Sequence, residues 1–344
     1  MRFYTYYMKT IFFELEAWEK DYLQTKDLAS MAEVEFVDQA LTKDSLPANS
    51  EAEILAIFVN SVIDEAVLAH FPNLKLIITR STGFDHIDLA LCKAKGVAVA
   101  NVPSYGADTV AEYTFALLLN LSRKVYLSFD RIRETGSFSI DGLRGFDLKG
   151  KTLGVIGTGQ IGKNVIEIAV GFNMNIIAYD PYPDQAYASK FNYSYLDFDQ
   201  VLAQADIVTL HVPYTKDNHH LLNADKIASM KKGAFLLNTA RGPLVDTIAL
   251  VEALRSGHLA GAGLDVLEEE NFMKNEELYW LSQGQMAEED LKAILADHLL
   301  VDLPNVIITP HNAFNTWEAL KRILDTSLEN LQSFVSGTPK NIVS

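Results

Sequence analysis

Three polar residues in the second half of the chain each stand just beyond an apolar run. Arg241 follows "GAFLLNTA", Asp265 follows "LAGAGL", and His311 follows "NVIITP". Singly, each has an ordinary explanation: a surface arginine, a helix cap, a packed histidine. Three together, each past a different strand, suit one reaction, because ligands of an open parallel sheet gather beyond the carboxyl ends of its strands. An arginine there can hold a carboxylate in a bidentate fork and polarise the neighbouring carbonyl. A histidine can protonate a ketone oxygen while hydride reaches its carbon, since imidazole titrates near neutral pH. An imidazolium needs a carboxylate to orient it and favour its charge. Glu268, Glu269 and Glu270 are the nearest supply. Such a set is suited to reducing a 2-keto acid.

A hydride needs a carrier, and one more motif provides for it. Gly157, Gly159 and Gly162 form G-x-G-x-x-G between the strand-like "TLGVI" and the helix-like "QIGKNVIEIAVGF". That context, rather than the glycines alone, marks a dinucleotide site. The first glycine permits a tight turn, the second lets backbone approach a pyrophosphate, and the third lets helix and strand pack. The helix N-terminus then offers free N–H groups to phosphate. The next strand, "NIIAYD", ends at Asp180, placed to accept from ribose hydroxyls and to repel a 2′-phosphate. NAD is therefore expected rather than NADP.

The elements that must position these groups are legible as alternation. "TIFFEL", "VEFVD", "ILAIFV", "LKLIITR" and "VAVANV" read as buried strands in the first hundred residues, with helix-like stretches between them. A second series reads "TLGVIG", "NIIAYD", "ADIVTLHVP", "GAFLLNTA", "LAGAGLDV" and "NVIITPH". Strands alternating with helices predict α/β architecture: two doubly wound parallel sheets. The first unit lacks cover for one sheet face unless the final stretch, "WEALKRILDTSLENLQSFVSG", returns to it. The second unit is thus expected to be inserted into the first, with a cleft between them. Thr109 and Glu112 read as a capping box opening one long apolar helix through "LSRKVYLSFDRIRETG". The acidic stretch from Glu268 to Leu300 reads as surface helices.

Bulk properties narrow the partners. The 344 residues carry 29 Lys and Arg against 45 Asp and Glu, a formal net charge of −16. That argues against sequence-independent binding to nucleic acid and against an anionic membrane surface. The most apolar window, "YTFALLLNL", is too short to span a bilayer. The start of the chain lacks the features of a signal peptide, so a cytoplasmic protein is expected. The one cysteine, Cys92, reads as a small buried hydrophobe. Adjacent His219 and His220 are expected to point apart, with no third ligand at a recognisable spacing, so no metal site is expected.

"GVIGTGQIG", "NTARGPLVD", "AGLDVLEEE" and "TPHNAF", in this order and spacing, resemble the D-isomer-specific 2-hydroxyacid dehydrogenases. The likeness covers nearly the whole chain and is closest to the NAD-dependent fermentative D-lactate dehydrogenase branch. It implies a flavodoxin-like substrate domain, residues 1–104 and 312–344, with an inserted Rossmann NAD-binding domain, residues 105–311. It implies a homodimer, and a small 2-keto or 2-hydroxy acid as substrate. Among the three glutamates it selects Glu270 as partner of the acid/base His311, with Arg241 binding the substrate carboxylate. Thr82 and Gly83 would grip that carboxylate through their amides, Tyr105 would face the substrate, and Phe58 and Phe314 would line a small pocket. The coenzyme would meet Gly157, Thr158, Gly159, Gln160, Ile161, Gly162 and Asp180. His211, Val212 and Pro213 would flank the adenosine, Thr239 and Ala240 the nicotinamide, and Asp265 would hold the carboxamide. Reduction of pyruvate to D-lactate is the implied reaction. The alternatives are a dehydrogenase for a larger acid such as 2-ketoisocaproate, and a non-catalytic NADH-sensing scaffold of the corepressor kind.

Overall fold

The computed structural model describes residues 7–28, 32–270 and 288–343. Part of the acidic stretch, residues 271–287, lies outside them. The chain forms two compact units, Met1–Tyr105 with Thr316–Ser344, and Gly106–Asn315. Tyr105 therefore joins the first unit. Residues 312–315 join the second, because the backbone of Asn312 and Ala313 is tied to Asp265 (below).

In the first unit, strands β1 (Met8–Phe12), β2 (Ala32–Phe36), β3 (Ile54–Ile57), β4 (Leu76–Thr79) and β5 (Ala98–Ala100) form one parallel sheet, ordered β2-β1-β3-β4-β5. The central strands β3 and β4 are apolar and buried throughout because both faces are covered, whereas the edge strand β2 alternates. Alternate residues serve opposite sides. Ile11, Leu55, Ile57 and Ile77 pack with Val67, Leu68 and Cys92. Phe12, Ile54, Ala56 and Leu76 pack with Leu23, Leu324, Leu328 and Leu331. The last three belong to the helix Trp317–Val335, capped by Thr316, which accepts from the Ala319 amide at 3.2 Å. The tail thus returns to cover the face that the first hundred residues leave open. Cys92 is buried, and desolvation pushes its thiol up to about 11.

Strand order reverses between β1 and β3, the place where ligands meet such sheets. There Arg80 is buried just past β4. Its guanidinium donates to Glu19 at 2.9 Å and to the Phe13 and Glu14 carbonyls at 2.8 and 2.7 Å. Burial pulls its pKa down, and Glu19 opposes that. Glu19 also receives the Glu16 amide at the start of the helix Ala17–Gln24.

In the second unit, β6 (Thr152–Ile156), β7 (Asn175–Tyr179), β8 (Ser194–Tyr195), β9 (Ile207–Leu210), β10 (Ala234–Asn238), β11 (Leu259–Leu264) and β12 (Val306–Ile308) are parallel, ordered β12-β11-β10-β9-β6-β7-β8. The chain steps outward from β6 to β8, then crosses to β9 and steps outward to β12. The reversal at β6/β9 is that of dinucleotide-binding sheets. One face packs Val155 and Leu237 with Phe115, Leu118 and Val165; the other packs Leu210 and Leu236 with Leu202, Leu250 and Leu300.

Two expectations fail here. The helix after Tyr105 begins at Ala107 with Gly106 as N-cap, so Thr109 lies inside its first turn and no Thr109–Glu112 capping box forms. Asp108, in that turn, favours the dipole instead. The expected single long helix is two, Ala107–Arg123 and Val125–Thr135, divided by Lys124 in the left-handed conformation at φ 52°. No glycine or proline marks that break.

Glu19→Ala strands the buried Arg80 guanidinium and removes a cap. It is expected to lower the unfolding free energy by about 3–5 kcal/mol. Urea unfolding of the variant with a loss below about 1 kcal/mol would show that the pair does not hold this corner together.

Candidate active site

The glycine loop is built by close packing. Gly157 has φ +93°, and a Cβ on it would lie 2.7 Å from the His211 carbonyl oxygen and 2.8 Å from Val212. A Cβ at Gly162 would lie 2.0 Å from the Gly157 carbonyl oxygen, whereas one at Gly159 would meet nothing within 4 Å. The protein's own packing thus demands the first and third glycines. The second faces open space at the N-terminus of the helix Gln160–Gly171, which Gln160 and Ile161 open. That is the arrangement a pyrophosphate requires.

Asp180, at the end of β7, holds this loop. One carboxylate oxygen accepts from the Thr158 amide at 2.7 Å and the Thr158 hydroxyl at 3.1 Å, and the other from the Tyr182 amide at 2.8 Å. The same hydroxyl lies 2.8 Å from the Tyr195 hydroxyl. Across the reversal, the His211 amide donates to the Ile156 carbonyl at 2.7 Å. The His211 ring meets the Thr209 hydroxyl at 2.9 Å, and desolvation pushes its pKa down to about 3, so the imidazole is neutral. The Pro213 carbonyl accepts from the Asn218 side chain at 2.8 Å.

The other three strand ends share one row, since Asn238 pairs with Leu264 and Leu264 with Ile308. Arg241, Asp265 and His311 follow these ends. Asp265 is buried. One carboxylate oxygen accepts from the Thr309 hydroxyl at 2.5 Å and the Asn312 amide at 2.8 Å, the other from the Ala313 amide at 2.8 Å. Desolvation raises its pKa, and those donors oppose the rise. Its backbone carbonyl accepts the His311 amide at 2.8 Å. His311 has φ 51°, uncommon outside glycine. Its Nδ1 lies 3.0 Å from Glu270 Oε2, and its ring meets Phe314 edge-on with centroids 6.4 Å apart.

Each glutamate of the run has a different station. Glu270 faces His311. Glu268 accepts from His220 at 2.5 Å and from the Thr247 amide at 3.3 Å. The Glu269 amide donates to Asp297 at 3.1 Å. The expectation for the histidine pair is corrected. His220 has φ 50°, which brings its ring over that of His219, stacked at 3.9 Å between centroids. Glu268 is a third group, with donor atoms of all three within 4.8 Å of one another.

Arg241 Nη1 donates to the Ala240 carbonyl at 2.7 Å. Asn238 shapes this turn, donating to the Arg241 carbonyl at 2.9 Å and accepting from the Ala240 amide at 3.0 Å. The Thr239 hydroxyl lies 2.9 Å from that of Thr114.

Phe58, Thr82, Gly83 and Tyr105 belong to the first unit. The Phe58 ring lies over the Arg80 guanidinium at 5.1 Å, and its amide donates to Glu14 at 3.2 Å. The Thr82 hydroxyl donates to the Val102 carbonyl at 2.9 Å, and the Gly83 carbonyl accepts from Ser81 at 2.6 Å. The Tyr105 carbonyl accepts from Arg322 at 2.6 Å. Sequence reasoning passed over Glu14, Arg80, Asn238, Thr309 and Asp297. Glu14, Arg80, Asn238 and Thr309 stand at or within two residues of a strand end, which could have flagged them; nothing local marks Asp297.

Residues 115–313 match the model of the D-isomer specific 2-hydroxyacid dehydrogenase NAD binding domain. The chain is 35% identical over 332 residues to D-lactate dehydrogenase of Escherichia coli, covering 96% of this chain and 98% of that one. It is 42% identical over 273 residues to an aromatic 2-oxoacid reductase of Clostridium sporogenes, covering 78% of each. Its fold superposes on D-lactate dehydrogenase of Aquifex aeolicus, complexed with NAD and lactic acid, with TM-score 0.82, 36% identity and 96% of each chain covered. With an NAD-binding sheet, a second parallel-sheet domain and these relatives, the chain belongs to the NAD-dependent D-isomer-specific 2-hydroxyacid dehydrogenases.

Proposed function

We propose that the protein reduces pyruvate to D-lactate with NADH, reversibly, and that His311 and Glu270 form its acid/base pair. The observation that carries this reading is the 3.0 Å contact between His311 Nδ1 and Glu270, in the row of strand ends that also holds Arg241. NADH, when bound, supplies the hydride. Glu270 occupies Nδ1, which leaves Nε2 to give its proton to the ketone oxygen as charge builds there. Arg241 holds the substrate carboxylate and orients C2. Thr82, Gly83, Tyr105, Phe58 and Phe314 belong to the same proposal as substrate contacts, as does the role of the first unit as substrate domain. Asp265 supports His311 from below as well as serving the carboxamide of the coenzyme.

Pyruvate is preferred on the likeness to D-lactate dehydrogenases. A larger 2-keto acid is the second reading, supported by the 42% identity to a relative named for aromatic 2-oxoacids. A scaffold without turnover would keep NADH binding and reduce none of these. No helix among the described residues is long and apolar enough to cross a membrane, and a cytoplasmic, fermentative role is part of the proposal. So is a homodimer. The helix Val125–Thr135 has no buried residue, and Val125, Phe129, Ile132, Phe138 and Ile140 stand exposed, the last two above 80%. An apolar patch of this kind marks a protein–protein face.

With pyruvate, 2-ketoisocaproate and phenylpyruvate compared in an NADH-absorbance assay, pyruvate is expected to give the highest kcat/KM. His311→Gln is expected to lower kcat about a hundredfold or more while NADH still binds; near-normal turnover would remove His311 from the chemistry. Asp180→Ala frees the Thr158 amide and is expected to weaken NADH binding about tenfold while improving relative use of NADPH. Fluorescence titrations that left both affinities unchanged would refute that role. Light scattering on the intact protein is expected to give twice the chain mass of 38.3 kDa, with Phe129→Asp shifting it towards one chain. A wild-type monomer at micromolar concentration would contradict the dimer.

A further inference from the structure

The loop from Asp265 to Glu270 is gripped along its length. Asp265 holds Thr309, Asn312 and Ala313. The Leu267 carbonyl packs against Gly242, where a Cβ would lie 1.8 Å from its oxygen. Glu268 is held by His220 and the Thr247 amide. Glu270 Oε1 lies 3.4 Å from the Leu267 amide, and Oε2 faces His311. The remaining grip comes from outside the strand ends: the Glu269 amide donates to Asp297, on the helix Glu288–Val301.

Asp297 is an expensive residue to keep there. It is 0% exposed, and its other carboxylate oxygen has no hydrogen-bond partner among the described residues. Its helix neighbours Ala293, Ile294, Ala296 and Leu300 are buried and apolar, so a leucine would suit the surroundings better. An unsatisfied buried carboxylate oxygen is destabilising and calls for a reason. Desolvation pushes the Asp297 carboxyl up to about 7; Glu268 and Glu269 add to the rise, and the Glu269 amide and the Thr247 hydroxyl oppose it. Besides the Thr247 hydroxyl, what the residue holds is the amide immediately before Glu270.

We propose that Asp297 is a positioning residue for the reaction: by accepting the Glu269 amide from a neighbouring helix, it fixes Glu270 within reach of His311 Nδ1. The proposal rests on the reading that Glu270 and His311 do the acid/base work. Asp297 touches neither group itself. It acts through one backbone hydrogen bond, and it assigns a purpose to the helix that ends the acidic stretch.

Two variants separate this from simple packing. Asp297→Asn keeps the shape and an acceptor oxygen; Asp297→Leu keeps the branched outline, with bulkier methyl groups, and removes the acceptor. The readouts are hydrogen exchange of residues 266–270 by mass spectrometry, kcat, and the pH profile of 2-keto-acid reduction. Thermal unfolding and NADH affinity report on folding. In Asp297→Leu, exchange at the Glu269 amide is expected to rise about tenfold. Its kcat is expected to fall about tenfold, and the high-pH fall-off in rate to move to lower pH, with NADH affinity unchanged. Asp297→Asn is expected to stay within about twofold of wild type in each. A folded Asp297→Leu with wild-type exchange overturns the proposal, as does an Asp297→Asn as impaired as the leucine variant. Faster exchange with unchanged kcat also overturns it where His311→Gln is impaired. Where His311→Gln is unimpaired too, the acid/base reading itself has failed, and the proposal falls with it.

Discussion

A buried carboxylate at the end of β11 organises the candidate site. Asp265 gives one oxygen to the Thr309 hydroxyl and the Asn312 amide, and the other to the Ala313 amide, while its carbonyl takes the His311 amide. These bonds stabilise a backbone in which His311 sits at φ 51°. A histidine in that conformation persists only where its surroundings over-determine it. Without the clamp, the chain past Pro310 would be free to relax, and the imidazole would lose its fixed distance to Glu270. Desolvation raises the pKa of Asp265, so the clamp is made at the expense of burying charge, and the three donors offset that.

The same device recurs at other strand ends of both sheets. In the first unit, Glu14 past β1 has φ 54° and accepts from the Phe58 amide, the Asn60 amide and the Ser61 hydroxyl. In the second, Asp180 past β7 accepts from both donors of Thr158 and from the Tyr182 amide. Loops at the carboxyl edge leave backbone N–H groups unpaired by any strand. An acid placed there satisfies two or three at once and fixes the loop's shape before any ligand arrives. The preorganisation of the strand ends, in this account, is chiefly the work of carboxylates.

How much of this was legible depends on range. Both sheets, apart from the two-residue β8, were readable because buried parallel strands are written as continuous apolar runs. The glycine loop was readable because its context is local. Arg241, Asp265 and His311 were readable as strand-end residues, yet nothing local chose among Glu268, Glu269 and Glu270; the family resemblance did, and the geometry brings Glu270 to His311. The left-handed Lys124 was not readable, because no glycine or proline announces it. The stacking of His219 on His220 escaped for a similar reason: adjacent side chains diverge in regular structure, and one positive φ reverses that. The partners of Glu14, Arg80 and Asp297 were not readable, because they lie far away in sequence.

The central claim is that Glu270 acts on the chemistry through the imidazole of His311. The pH dependence of kcat/KM for pyruvate reduction, measured for the wild type and for Glu270→Gln, tests it most directly. A carboxylate beside an imidazole favours its charged, proton-donating form. The account predicts that the variant loses activity at a distinctly lower pH than the wild type, with its NADH affinity intact. Superimposable profiles, differing in neither position nor height, would contradict it.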